Sequence, residues 1–425
     1  MEPMDIEDGP SLDLESYITQ FSGNVCLQRL KFFVNESPPS PENYKLLIET
    51  AMDCKNIPVY SEAVEALYNT FPLDAVSSNV DWITQTSKYL TSKVDRLEQD
   101  LNNYQLSRDK ENIRRTHQSL GDHYHDCGDL SNAIKHYQKS RDYGTTVYHT
   151  FDFCMNIIKV SVYLNHWTSV SNYIKKADAV EVTEALAKRK LGIATALSQF
   201  CHGQYNTAGH TLSAIMCDTW TNEILSPNCI AIYTALCALG AFDRKELHSL
   251  LIENNNFKQY LEMEPTVRDC MYSFYNRNYS AAFAALKKLK ASLKLDIFLS
   301  SHVDAVYDKI RSRSLCQYFT PYNACDMNKM ADAFNTDVDA LELELMKLVP
   351  DLPARIDSFN KILRSCESDN RALVFEDVLN LSLRYKQKTQ ALLVKSVVLK
   401  AGLVVKAPTP IDEKPSSSYV VSSCD

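Results

Sequence analysis

Residues Leu120–Gly144 read LGDHYHDCGDLSNAIKHYQKSRDYG. The stretch gathers His123, His125, Asp126, Cys127, Asp129 and His136 into fourteen positions, which raises the question of a metal site. The same stretch carries Leu120-Gly121, Tyr124, Gly128, Ala133, Tyr137 and Ser140 at the spacing of two antiparallel helices joined by a tight turn. A compact residue on the second helix, a few positions before a bulky one, lets that helix lie close against the first. The two histidines two positions apart would project about 200° apart around a helix, whereas helical zinc sites use residues four apart. On a strand, H-x-H could chelate, as in metal-dependent isopeptidases where Ser-x-x-Asp follows seven residues later; here those positions hold Ala133 and His136. The spacing favours surface histidines on a helical hairpin over metal ligands.

Outward from this stretch the pattern repeats. Similar triplets recur as Val170, Ile174, Ala177; Ala208, Leu212, Ile215; and Ala282, Leu286, Leu289, starting 37, 38 and 74 residues apart. A weaker copy near Glu246 and Leu250 falls midway in the long interval. This predicts about five tetratricopeptide-like hairpins over residues 109–295, stacked so that each covers its neighbour's apolar face and leaves a concave surface for partners. Only ten glycines occur in the chain and no proline lies between Pro72 and Pro227, so the middle is predicted to be almost wholly helical. Upstream, Ala63–Tyr68 and Val80–Tyr104 read as helices within an N-terminal helical region, residues 15–108, with Pro38, Pro39 and Pro41 in a loop.

Bulk composition narrows the function classes. With 45% hydrophobic residues, the 425-residue chain can form two or three domains. Its 53 acidic and 45 basic residues give a net charge of −8, which argues against a general phosphate-binding surface. Thirteen scattered cysteines with no C-x-x-C pair indicate neither a disulfide framework nor a zinc ribbon and fit a reducing compartment. No signal peptide and no apolar run of membrane-spanning length is evident, so a soluble intracellular protein is expected. Nucleotide-binding, nucleophile-elbow and helical zinc-protease motifs are missing, so no catalytic, cofactor-binding or metal residue is assigned. The acidic residues 1–14 and the tail 403–425 have the composition of disordered segments.

Beyond the repeats the pattern changes. Asp304–Leu315 reads as a helix, QYFTPY as a short strand or turn, and Cys325–Phe334 as a second helix. Asn335-Thr336-Asp337 then forms a tight turn, with Thr336 or Asp337 as N-cap of a third helix over Val338–Val349. Two short alternating runs, Ala354–Asp357 and Lys361–Leu363, follow as a β-hairpin wing. That order is a winged helix, over residues 304–365. Asp326, Asp332, Asp337, Asp339, Glu342 and Glu344 outnumber Lys329 and Lys347 across its second and third helices, a balance that phosphates would repel. The last helix, residues 371–402, carries Val378, Tyr385, Leu392 and Leu399 at seven-residue spacing with Leu381 alongside. It either folds back as core or projects into a bundle with other chains, and the heptad favours the bundle.

The whole is thus all-α dominated: a TPR-like solenoid, a winged helix and a long C-terminal helix. This plan resembles the PCI-domain family of the proteasome lid, the COP9 signalosome and translation initiation factor 3. Segments SRDYGTTVYHTFDFCMNIIKVSV, YTALCALGAFDRKEL, LDIFLSSHVDAVYDKIRSRSLCQYFTPY, DMNKMADAFNTDVDALELEL and ARIDSFNKIL are most similar to the signalosome's subunit 1 family. The resemblance implies a PCI domain over residues 205–370 and a non-catalytic scaffold subunit, in cytoplasm and nucleus, without cofactors. It further implies partners: other PCI subunits and the signalosome's metal-dependent isopeptidase, which removes Nedd8 from cullins, so that cullin-RING ligases are reached indirectly; neither nucleic acid nor membrane is implied. By similarity, Arg311, Tyr318, Tyr322, Arg355, Asp357 and Ile362 face adjacent PCI subunits, and Val378, Tyr385, Leu392 and Leu399 enter a helical bundle. Phe359 stands where that family commonly has histidine. A proteasome-lid PCI subunit and a winged-helix DNA-binding protein remain as the alternatives.

Overall fold

Among the described residues, five pairs of helices close through one and the same three-residue turn. The computed structural model describes residues 19–72, 79–180, 184–216, 224–348, 354–365 and 370–402. The helices so joined are α2 (Pro41–Asp53) with α3 (Ile57–Thr70), α5 (Lys110–Asp126) with α6 (Leu130–Arg141), and α7 (Val147–Tyr163) with α8 (Trp167–Asp178). The fourth and fifth pairs are α9 (Ala185–Cys201) with α10 (Tyr205–Ser213), and α14 (Pro265–Tyr275) with α15 (Tyr279–Leu293). In each turn the second residue is left-handed: Lys55, Gly128, Asn165, Gly203 and Arg277 have φ of 56°, 84°, 56°, 76° and 64°. The third residue then donates its backbone N–H to the carbonyl five positions back, as Asn56 to Ala51, Asp129 to Tyr124, His166 to Ser161, Gln204 to Gln199 and Asn278 to Ser273, at 2.9–3.0 Å. That bond is the Schellman closure of the first helix, while the same residue starts the second. Asn56, Asp129 and Asn278 also accept from the N–H of Val59, Asn132 and Ala281 and so cap the helix they begin.

Close approach inside the hairpin needs a bare backbone. A Cβ on Gly121 would lie 2.5 Å from the Tyr137 ring, and Ala133 beside it is fully buried. Tyr137 donates its hydroxyl to Asp122 Oδ1 at 2.7 Å, so the ring is fixed at both ends.

The weak copy near Glu246 is not a regular hairpin. After α11 (Pro227–Ala241), Asp243 and Glu246 form a reciprocal capping box on the four-residue helix α12 (Arg244–Leu247). The chain then widens into a π-helical turn, His248–Ile252, before α13 (Asn255–Met263) restarts at the Asn254 cap.

Upstream, α1 (Asn24–Glu36) and the α2–α3 pair share a core of Leu27, Leu30, Phe33, Leu47, Tyr60 and Leu67. The predicted proline loop is the short link Ser37–Ser40, and Pro41 occupies the first turn of α2, where its missing N–H costs nothing. The helix α4 (Val80–Ser107) follows. A polar clasp ties α1 to residues far along the chain. Arg29, 1% exposed, bonds Asp296 Oδ2 at 3.1 Å and the Ile224 carbonyl at 3.0 Å, and lies over the rings of Phe21 and Phe298. Asp296 Oδ1 accepts from the Tyr233 hydroxyl at 2.7 Å and from the N–H of Phe298 and Leu299.

The winged helix comprises α16 (Val303–Phe319), β1 (Ala324–Asp326), α17 (Met327–Phe334), α18 (Val338–Leu348), β2 (Ala354–Asp357) and β3 (Ile362–Ser365), with sheet order β1-β3-β2. Two expectations are corrected here. Gln317–Phe319 of QYFTPY belong to α16 because the buried Phe319 completes its apolar face, and the strand begins at Ala324, beyond the end of that stretch. Cys325 is on that strand, and Asp326, whose side chain accepts from Asn328 N–H, starts the next helix at Met327. Residues 349–353 and the segments 1–14 and 403–425 lie outside the described residues. By packing, the chain divides into residues 1–352 with 356–363 and residues 353–355 with 364–425, the second holding α19 (Asn370–Lys400). No helix among the described residues is long and apolar enough to cross a membrane.

Candidate docking interfaces

The histidine-rich stretch is settled by its surroundings. His123 and His125 do project differently, but His123 is 4% exposed and His117 is equally buried, so the expectation of surface histidines is corrected. The Leu90 backbone and Lys93 of α4 lie beside His123. His117 and His136 bring their Nδ1 atoms to 3.4 Å. Burial, with His136 and Lys139 nearby, pushes His117 down to about 4. Among the described residues no group of three His, Cys, Asp or Glu side chains could hold a metal ion. Burial also pushes the Cys26 and Cys229 thiols up to about 11, away from the thiolate form a nucleophile needs.

At the winged helix, the predicted interface residues separate into two kinds. Arg311 is turned inward: Nε bonds Glu344 Oε2 at 3.0 Å, Nη2 reaches Thr336 Oγ1 at 3.4 Å, and the guanidinium lies 5.1 Å from the rings of Phe283 and Phe334. It clamps α16 to α18 and to the last repeat, so its donors serve the fold of this chain. Tyr318 is half-buried among Tyr279, Phe334 and Tyr322, a cluster centred on the Tyr279–Phe334 stack at 4.9 Å. Tyr322, at the rim of that cluster, is exposed.

The wing is stiffened from below. Lys361, left-handed at φ 53°, puts Nζ 2.9 Å from Asp339 Oδ1 and 2.7 Å from Glu342 Oε2, and Ser358 bonds the other Glu342 oxygen. The hydrogen bond from Lys361, with that from Ser358, holds the Glu342 carboxyl below its ordinary range, and the bonds of Lys361 to Glu342 and Asp339 push Lys361 up. Asp357 is used within the hairpin, accepting from Asn360 N–H at 3.2 Å and Asn360 Nδ2 at 2.9 Å. Arg355 is exposed on β2, a rim strand of the sheet, while Ile362 on the central strand is half-buried. Phe359 stands at the hairpin tip, 94% exposed. Leu343 and Met346, exposed on α18, were missed by the sequence reading, whose signal was their position off the buried Leu341–Leu345 line.

The helix α19 is a second surface of its own. Val378, Tyr385, Leu392 and Leu399 are all exposed, Tyr385 by 73%, and so are Phe375, Leu381 and Val397. At 100° per residue, Leu392, Leu393, Val394, Val397 and Leu399 spread over about 220° of the helix circumference, which corrects the narrow stripe expected from the heptad, while Arg384, Lys388 and Lys395 occupy the remaining sector. The apolar surface of α19 is thus broader than a single seam.

Comparison with known proteins follows this geometry. A family model described as 26S proteasome subunit RPN7 matches residues 79–250, and a PCI domain model matches residues 286–366. The chain is 34% identical to COP9 signalosome complex subunit 1b of Drosophila melanogaster, over 95% of this chain and 88% of that protein. It is also 34% identical to COP9 signalosome complex subunit 1 of Arabidopsis thaliana, over 93% of this chain and 91% of that one. The 26S proteasome non-ATPase regulatory subunit 6 of Dictyostelium discoideum is 22% identical over 81% of this chain. A helical solenoid, a winged helix inside the matched PCI region, and one-third identity over nearly the full length together show that the chain belongs to the COP9 signalosome subunit 1 family.

Proposed function

We propose that the chain is a non-catalytic scaffold of the COP9 signalosome that supports removal of Nedd8 from cullins and so regulates cullin-RING ubiquitin ligases. Family membership supports the assembly, and the observation that carries the scaffold role is α19, thirty-one residues long with a broad band of exposed apolar side chains. Such a helix gains most by entering a bundle of partner helices, where each buried apolar residue contributes about 1.5–3 kcal/mol. The rim strand β2, with Arg355, and the exposed Tyr322 and Phe359 serve as the edge for neighbouring PCI subunits. The isopeptidase metal site belongs to another subunit, and the chain works in cytoplasm and nucleus.

Affinity purification of the tagged chain tests this. The expected result is a stoichiometric multi-subunit complex that removes Nedd8 from a cullin, with fractionation placing the complex in both compartments. Recovery of proteasome lid subunits instead overturns it in favour of the second reading, to which the proteasome-subunit match over residues 79–250 points.

A further inference from the structure

Where α1, α11, α14 and α15 meet, the chain leaves a cavity of about 310 Å³. Phe33, Ile232, Leu289 and Leu293 give it apolar walls, and Asn228 and Glu264 form a polar end. Asn228 Nδ2 donates to Glu264 Oε1 at 2.9 Å. With the amide so oriented, Asn228 Oδ1 and the second Glu264 oxygen are acceptors on residues at the same end of the cavity, and neither receives a hydrogen bond from the described residues. Burial pushes the Glu264 carboxyl up in spite of the amide donor. Asp296, also on the cavity wall, differs: Arg29, Tyr233 and two backbone N–H groups satisfy it.

We propose that this cavity binds a guanidinium group carried on an aliphatic stem. Two acceptors at one end of the cavity, one of them a carboxyl, suit the several N–H donors of a guanidinium, and the apolar walls take the methylene stem. The volume lies at the lower end of the range for small-ligand pockets. Residues 1–18, which lead to Gln20 at the cavity wall, contain Glu2, Asp5, Glu7, Asp8, Asp13 and Glu15 and no lysine or arginine, so they do not supply the group. Two sources carry this chemistry, an arginine side chain of a partner polypeptide and a free alkylguanidine.

Ligand-observed NMR and calorimetry on the full chain separate them. Butylguanidinium and N-acetyl-arginine-N′-methylamide are expected to bind at least about tenfold more tightly than butylurea, the neutral isostere, since a charge-assisted hydrogen bond is worth that factor or more. Glu264→Gln, which keeps an acceptor for Asn228, and Ile232→Trp, which fills the cavity, each abolish binding while circular dichroism and unfolding midpoint stay unchanged. Binding of butylguanidinium without the blocked arginine assigns the site to a small molecule, and binding of both assigns it to a polypeptide. Equal binding of butylurea to the unaltered chain overturns the proposal whatever the variants do. So does binding that appears only after residues 1–18 are deleted, which gives the cavity to the chain's own N-terminus.

Discussion

Single residues set the strongest stability expectations. Arg29 and Asp296 are paired out of water, so removing one partner strands the other's charge. Arg29→Met is expected to cost about 3–5 kcal/mol, and adding Asp296→Asn to recover part of it, because the loss comes mainly from the uncompensated charge. Chemical denaturation gives the cost, and limited proteolysis shows early cleavage in α1–α3. His117 makes a pH-dependent contribution. The folded chain holds it neutral down to about pH 4, against His136 and Lys139, whereas the unfolded chain takes up a proton near the ordinary value of about 6.5. Protonation therefore favours unfolding. The contribution is complete above about pH 6.5 and is lost as the pH falls towards 4, by about 1–3 kcal/mol. His117→Gln flattens that part of the stability–pH curve. Neither residue announced itself in the sequence: Arg29 and Asp296 are 267 positions apart, and His117 lies just before the stretch that drew attention to His123 and His125.

Whole elements carry the assembly expectation. Replacing Val378, Tyr385, Leu392 and Leu399 with serine or glutamine leaves the isolated chain's unfolding midpoint within about 0.5 kcal/mol of its original stability, since all four are exposed. The same change abolishes recovery of partner subunits in co-purification; a chain that unfolds would instead show α19 to be core. The heptad made this helix and its exposure legible. Its further apolar faces were not, because a search for one period passes over residues such as Leu393 and Val394 that lie outside it. Hairpin elements were legible for a local reason, the requirement for Gly121 and Ala133 under Tyr137, which depends on residues close in sequence. The α2–α3 pair escaped notice although its turn at Lys55–Asn56 has the shared geometry, since the bulky Tyr60 stands where the other hairpins carry Ala133, Val170, Ala208 and Ala282. The winged-helix strand, Ala324–Asp326, was placed too early for a local cause as well: QYF is aromatic enough for a strand, yet Phe319 is wanted by the buried face of α16.

At the scale of the molecule, one joint used five times has a mechanical consequence. The left-handed residues at 55, 128, 165, 203 and 277 fall 73, 37, 38 and 74 positions apart, so each repeat stores a similar length of chain. A solenoid whose units touch only their neighbours yields unit by unit under load. Pulling on the ends of the chain in an optical trap should therefore give a sawtooth with steps of about 12–13 nm, the extended length of about 37 residues. The Arg29–Asp296 clasp alters how that series begins: because it fastens α1 to residues beyond the last hairpin, all five hairpins lie inside a closed loop and bear no tension until it breaks. The first rupture should be the highest, and in Arg29→Met that opening peak should disappear while the later steps keep their length.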